Sequence, residues 1–397
     1  MWRLGFFFHE MAFGLLSVFL PLYVISIGGS LVEIGIMTAL ALFLAIPASF
    51  LWGYLCDKTR RYRRYILISF LSSAAILYLF TLPTNISMLI LLYSVLSVVH
   101  MAHEPPKNVL IAELYSREDW ERSFAFYEGF TEAGWLIGLV LGFLTAAYGM
   151  IPTHTLLLCS ILNLVAFVLC VILVADPLLI FERGLVSIEK SVDFASKGVF
   201  LASKIWGGTS LERRLKRENV SAFCLGLILF SLATSIMFTP MPIFISSVAE
   251  ASALPSNIVF AIFVLNSGGG VAGYFIAGRR SRPEAGKTNI GKVVIFRCLL
   301  AFLLIWATMT AYNVVFATTI LILMGFAYAV FLVYTLSLSM EIIPAGKTGM
   351  FNVLVGIGGA CGSFIGPFLA QTFGFQYVFL TSGLIFFFTY ISFKIFT

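Results

Sequence analysis

Twelve apolar stretches, each about as long as a helix that crosses a bilayer, run the length of this chain. They fall near residues 4–27, 32–55, 65–82, 86–112, 123–147 and 153–175, then near 220–246, 256–278, 293–311, 314–340, 349–370 and 374–396. Charged residues make up 11% of the 397, against about 25% in a soluble domain, which excludes a water-soluble fold. The expected class is an all-α integral membrane protein with twelve transmembrane helices. A net charge of +6 alone would suit a nucleic-acid partner, but the placement of the charge argues against one. Of the 25 Lys and Arg, 23 lie on one face, in alternate loops and near the ends, and the loops of the other face hold none. The positive-inside rule makes the basic face, with both termini, cytoplasmic. The expected setting is the lipid bilayer of the plasma membrane, crossed many times. His9-Glu10 interrupts the first apolar core, so no cleaved leader is expected. No cysteine falls in an outer loop and none forms a C-x-x-C pair, so no disulfide framework is expected.

The chain repeats itself at an offset of roughly 220 residues. Pro21-Leu-Tyr-Val-Ile-Ser26 returns as Pro242-Ile-Phe-Ile-Ser-Ser247, Gly53-Tyr54 as Gly273-Tyr274, and Ala112-Glu113-Leu114 as Met340-Glu341-Ile342. Gly134, Gly138 and Gly142 return as Gly358, Gly362 and Gly366, a spacing that lets neighbouring helices approach closely. Two six-helix halves, 1–175 and 220–397, are expected, joined by a cytoplasmic linker over 176–219. Within it Leu185, Ile188, Val192, Ala195, Val199 and Ala202 step by three and four, which predicts an amphipathic helix on the membrane surface.

The loop after the second stretch reads Gly53-Tyr-Leu-Cys-Asp-Lys-Thr-Arg-Arg-Tyr-Arg-Arg64. It resembles the signature loop of the major facilitator superfamily, G-x-L-x-D-(R/K)-x-G-R-(R/K). Gly53, Leu55, Asp57, Lys58 and Arg61 match, while Arg60 replaces the usual glycine and Tyr62 a basic residue. The resemblance implies two pseudo-symmetric halves rocking about a central site lined by segments 1, 4, 7 and 10. It also implies a gating loop in which Gly53, Asp57, Lys58 and Arg61 work against Gly349–Met350. Neutral substrate contacts are then expected from Asn266, Tyr328, Tyr334 and Asn352. Gly362-Ser-Phe-Ile-Gly-Pro367 resembles the family's antiporter motif, displaced from segment 5 to segment 11. The protein is expected to act as a monomer on a small-molecule substrate, without a cofactor.

An ionisable group at mid-membrane costs about 2.5–3.5 kcal/mol on insertion scales and is a functional candidate by default. The first half carries His9, Glu10, His100, His103, Glu104, Lys107, Glu128 and Glu132 in its spans. The second half carries Arg297, near a cytoplasmic end, and little else. Residues 100, 103, 104 and 107 share one helix stripe, and 128 and 132 another. Counting from the basic face puts Glu10, Glu104, Lys107 and Glu128 at about 8–14 Å depth. Pro105-Pro106 should free the carbonyls of Met101 and Ala102 and kink the helix beside a polar cavity. Four carboxylates against Lys107 leave a charge of −3, which protonation of the three histidines brings to zero. Imidazoles titrate near neutrality, so the cluster can load and release protons. A proton-coupled secondary transporter is the leading expectation. A facilitative or a divalent-metal transporter of the same fold competes with it, the latter because His and Glu are metal ligands. Outside transport stands a membrane metalloenzyme, against which counts the absence of H-E-x-x-H.

Overall fold

The computed structural model describes residues 3–82, 85–114, 120–176, 220–280, 283–309, 314–342 and 349–396. Among these every regular element is helical: α1 Arg3–Ser26, α2 Leu31–Thr59, α3 Tyr62–Leu79, α4 Ile86–His100, α5 Glu104–Leu114, α6 Trp120–Ala147 and α7 Pro152–Leu173. The second half has α8 Val220–Phe238, α9 Met241–Ala251, α10 Ile258–Arg280, α11 Pro283–Met309, α12 Val314–Ile342, α13 Gly349–Thr372 and α14 Phe375–Phe396. With α4–α5 and α8–α9 each counted as one interrupted span, eleven spans are long and apolar enough to cross a bilayer. The twelfth is α3, whose first turn holds Arg63 and Arg64. The expected amphipathic helix at 185–202 lies outside the described residues.

The helix ends follow local chemistry. Ser30 and Glu33 form a reciprocal capping box at the start of α2, satisfying two orphan N–H groups. At the other end Arg60 takes the left-handed conformation, φ 53° and ψ 24°, and its N–H donates to the Cys56 carbonyl. A glycine would adopt that geometry without strain, which accounts for the residue usual in the resembling loop.

Two spans break where proline removes backbone donors. Between α4 and α5 the chain makes a 3₁₀ turn over Met101–His103. Of the two carbonyls expected to be free, that of Met101 is not. Glu104 N–H donates to the Met101 carbonyl, while the His100 carbonyl accepts from Ser69 Oγ at 3.1 Å. The tighter turn shifts the register by one residue. Segment 7, expected to be continuous over 220–246, stops at Phe238 and resumes at Met241, with Pro240 at the joint.

Packing repeats between the halves. α1 lies against α6 and α7 as α8 lies against α13 and α14, and α3 meets α7 as α11 meets α14. The glycines explain the closest of these seams. A Cβ on Gly138 would stand 2.0 Å from the Met11 carbonyl oxygen, and one on Gly366 2.0 Å from that of Ile236. Gly142 departs from its stripe and faces Phe260 of the other half. The halves meet through α2 with α13 and α6 with α10. On the side away from the basic loops, Val18 and Leu139 join the apolar core of the second half, and Val32 N–H donates to Gln371 Oε1 at 2.9 Å. Five of the six cysteines are buried thiols and Cys361 is exposed.

Candidate functional site: a polar chamber between the halves

Below that apolar seal the halves separate around a chamber with two lobes of about 400 and 340 Å³ that share Glu104, Thr234, Tyr328 and Leu332. The first half contributes Glu10 from α1, Glu104 and Lys107 from α5, and Glu128 and Glu132 from α6. The spacing that put these groups at one depth also puts them in one place. Lys107 Nζ lies 2.7 Å from Glu104 Oε2, 2.8 Å from its Oε1 and 3.8 Å from Glu128 Oε1. It therefore bridges two spans with a single cation. Glu132 points across the chamber, where its Oε1 accepts from Ser267 Oγ of α10 at 2.6 Å. That hydrogen bond joins the two halves.

Behind the carboxylates the three histidines form a knot in which His9 and His103 are buried and half-buried His100 lines the second lobe. Asn163 Nδ2 donates to the Cys159 carbonyl, which turns its Oδ1 toward His9 Nδ1 at 2.6 Å. His9 Nδ1 must then be the donor, so Nε2 is left to accept from His100 Nδ1 at 3.0 Å. Ser69 Oγ stands 3.1 Å from the His100 carbonyl and 3.2 Å from His103 Nδ1, and its single proton serves one of them. His103 Nε2 faces Glu104 Oε1 at 3.3 Å. Two bare lone pairs repel, so this contact is attractive only with a proton between them. That proton site is one contact from Lys107.

All three imidazoles bring a ligand atom within 4.8 Å of one another. Asn163 and Ser69 hold the far nitrogens of His9 and His103, as the outer partners of metal-bound imidazoles do. The direct His9–His100 hydrogen bond occupies the space between those two rings.

From the second half come aromatic and neutral groups. Tyr328 lines both lobes, Asn266 the first and Asn352 the second. Asn266 Nδ2 is already committed to the Leu321 carbonyl at 2.6 Å. Tyr334 does not reach the chamber. It packs on an apolar cluster with Tyr274 and Val330, because six residues past Tyr328 is about 240° round the helix. Asp57, Lys58 and Arg61 are exposed and Gly53 is half-buried; Lys58 Nζ stands 5.6 Å over the Tyr54 ring. The loop is pinned instead through Arg63, whose N–H donates to Asp176 Oδ1 at 2.8 Å and whose Nη2 donates to the Val171 carbonyl. The surroundings of Gly349 and the side chain of Met350 lie outside what the structure describes.

The chain matches the Major Facilitator Superfamily over residues 4–354. It belongs to that family. It is therefore a multi-pass membrane transporter of small solutes. The multidrug resistance protein MdtG of Proteus mirabilis (strain HI4320) is 28% identical to it, over 98% of this chain and 94% of that one. Among solved structures, a variant of the nucleoside transporter NupG superposes with a TM-score of 0.76 at 14% identity, covering 99% of this chain and 98% of that one. The human organic anion transporter MFSD10 superposes with a TM-score of 0.70 at 17% identity, covering 99% and 97%. At those identities the superpositions speak for the fold.

Sequence reasoning passed over four groups at the site. Ser69, Thr234 and Ser267 are ordinary hydroxyls inside apolar spans. Arg297 was expected near a helix end, but α11 begins at Pro283 and places it mid-helix, fully buried. The repeat carried the missing signal: its offset sets Arg297 beside Ser69, Phe230 beside His9 and Phe386 beside Asn163.

Proposed function

We propose that this transporter moves a small solute by alternating access, with protons as the coupling ion and the His–Glu network of the first half as their carrier. The observation that carries the reading is the His103–Glu104 contact, which needs one proton and connects through Lys107 to Glu128 on the chamber wall. A solute or proton arriving at Glu128 changes the charge that Lys107 must balance, and hence the charge that Glu104 can offer His103. The rocking motion is supported by the matched packing of the two halves and by the apolar seal at one end of the chamber. Cytoplasmic termini, a plasma-membrane setting and a monomeric working unit belong to the same proposal.

The test uses proteoliposomes with an internal pH-sensitive dye, challenged with a panel of small solutes under an imposed pH gradient. A coupled solute moves protons with it. Glu128→Gln should bind that solute and exchange it, yet lose accumulation driven by the gradient. Transport indifferent to pH, with Glu10, Glu104 and Glu128 each replaced by Gln without effect, would leave facilitated diffusion.

A divalent-cation cargo is the second reading, favoured by the three clustered imidazoles. Uptake of radiolabelled zinc that His9→Gln and His103→Gln both abolish would select it.

A further inference from the structure

Arg297 is the one large charge in the described part of the second half's core, and it is fully buried. Its Nε, Nη1 and Nη2 have no hydrogen-bond partner. Its guanidinium carbon lies 4.9 Å from the ring centre of Phe230, 5.1 Å from Phe386, 5.4 Å from Tyr328 and 5.9 Å from Phe238. Ring faces attract a cation, but they leave all five N–H donors of a guanidinium unspent. A buried charge without a counter-ion is costly to hold, and a transporter has no structural need for one here.

Three of those rings front the chamber, since Phe230, Phe238 and Tyr328 all line its lobes. Between Phe230 and Phe238, at the i+4 position on the same face of α8, stands Thr234. Thr234 lines both lobes, and its hydroxyl is buried just beneath that surface without a partner. Two unsatisfied groups, a hydroxyl and a forked cation, therefore sit just behind one patch of wall. Their shared complement is a planar anion, which a guanidinium meets with two parallel hydrogen bonds.

We propose that this patch is the anion-binding pole of the transport site, taking a carboxylate borne on an aromatic body. Phe230 and Tyr328 flank the body, Thr234 receives the carboxylate, and Arg297 reaches it by a turn of the Tyr328 ring, which is 38% exposed on the chamber. The repeat gives the patch its meaning. Where the first half holds the imidazole cluster proposed above as proton carrier, the second half buries a charge that persists at every physiological pH. A solute is thus gripped by a constant pole while the opposite wall changes. That this solute is transported rests on the function proposed above; the binding itself does not.

Binding is measured on the purified full-length protein in nanodiscs by thermal shift and calorimetry. The probes are 3-phenylpropionate, phenylalanine and 2-phenylethylamine, which share a body and differ in charged groups. We expect a carboxylate probe to raise the melting temperature by a few degrees. Arg297→Met should weaken that probe at least about tenfold, the loss expected for one charge-assisted pair. Arg297→Lys, which keeps the charge and loses the fork, should fall between. Because the guanidinium has no counter-ion to abandon, Arg297→Met without ligand should fold with an unchanged or higher melting temperature. The proposal is overturned if 2-phenylethylamine alone shifts the protein, if neither carboxylate does, or if Arg297→Met binds them as the wild type. It is overturned equally if Arg297→Met melts well below wild type while carboxylates stay silent, which would make Arg297 packing material. Loss of proton coupling with carboxylate binding intact would fault the transport reading and leave this one standing.

Discussion

Replacing Gly138 by alanine places a methyl carbon 2.0 Å from the Met11 carbonyl oxygen, 2.8 Å from its carbon and 2.9 Å from the Leu15 nitrogen. All three are backbone atoms, so no rotamer change relieves the contact. α1 and α6 must part by about 1 Å to bring the closest pair to 3.0 Å. The parting loosens the rest of the seam, where a Cβ on Gly134 or Gly14 would stand 2.5 or 2.2 Å from a carbonyl oxygen. Overpacking of this kind costs about 1–3 kcal/mol, while alanine in a helix returns up to about 1 kcal/mol over glycine. With the full return, the balance is a loss of up to about 2 kcal/mol, and a melting temperature lower by a few degrees. Transport should suffer more than stability, because Glu10 precedes Met11 on the displaced helix and lines the chamber. Gly268→Ala is the internal control. Its methyl would find one neighbour, Leu136 Cδ1 at 3.8 Å, an ordinary contact, so the helix gain should remain and the protein be unchanged or more stable. Fluorescence-detected size exclusion after heating compares the two. Equal melting of Gly138→Ala and Gly268→Ala would refute the argument that this seam is set by backbone contact.

Other substitutions probe separate links. Arg60→Gly should stabilise the protein by about 1–2 kcal/mol, since an L-residue in the left-handed region carries that strain; an unchanged melting temperature would show the strain is relieved elsewhere. Ser267→Ala removes the donor that ties Glu132 to the other half. A hydrogen bond to a charged group is worth about 1.5–3 kcal/mol, so the balance between facing states should move by roughly tenfold or more, read as a changed rate of alkylation of a cysteine placed at Leu332, which lines the chamber in this state. Unaltered alkylation would sink the idea that this bond holds the halves. Asp57→Asn should slow transport while leaving the amount of membrane-inserted protein unchanged; normal kinetics would reduce the loop to an orientation signal.

The spans were legible because each must be apolar over its whole length, and the acidic cluster because helical spacing and depth can be counted from the basic face. Glu10, Glu104, Lys107 and Glu128 converge for that reason. Rotation about the helix axis was the weaker inference. Tyr328 and Tyr334 were paired by residue type, yet Leu332, one turn on from Tyr328, is the residue that shares its face. The break after His100 was foreseeable from Pro105-Pro106, but which carbonyl the Glu104 N–H reaches depends on whether the turn closes as 3₁₀ or α, a difference no pattern of side chains encodes. Arg297 was hidden by a start of α11 that lies ten residues before the apolar stretch. Polar residues at the helix start masked nearly three more turns of structure, and with them the mid-helix position of the arginine. Thr234 and Ser267 gave no sign at all, since a hydroxyl in a span most often caps its own helix.

The distribution of thiols has a practical bearing on every labelling experiment above. A maleimide reacts with a thiolate in water, and five of the six sulfurs are enclosed by protein. Cys361 is open, but it sits midway along the span Phe351–Thr372, at a level bathed by hydrocarbon. The native chain is therefore close to silent toward aqueous thiol reagents and supplies its own background. Single reporter cysteines can be introduced into the wild-type sequence, leaving the tight glycine seams and the imidazole knot untouched by six preparatory replacements.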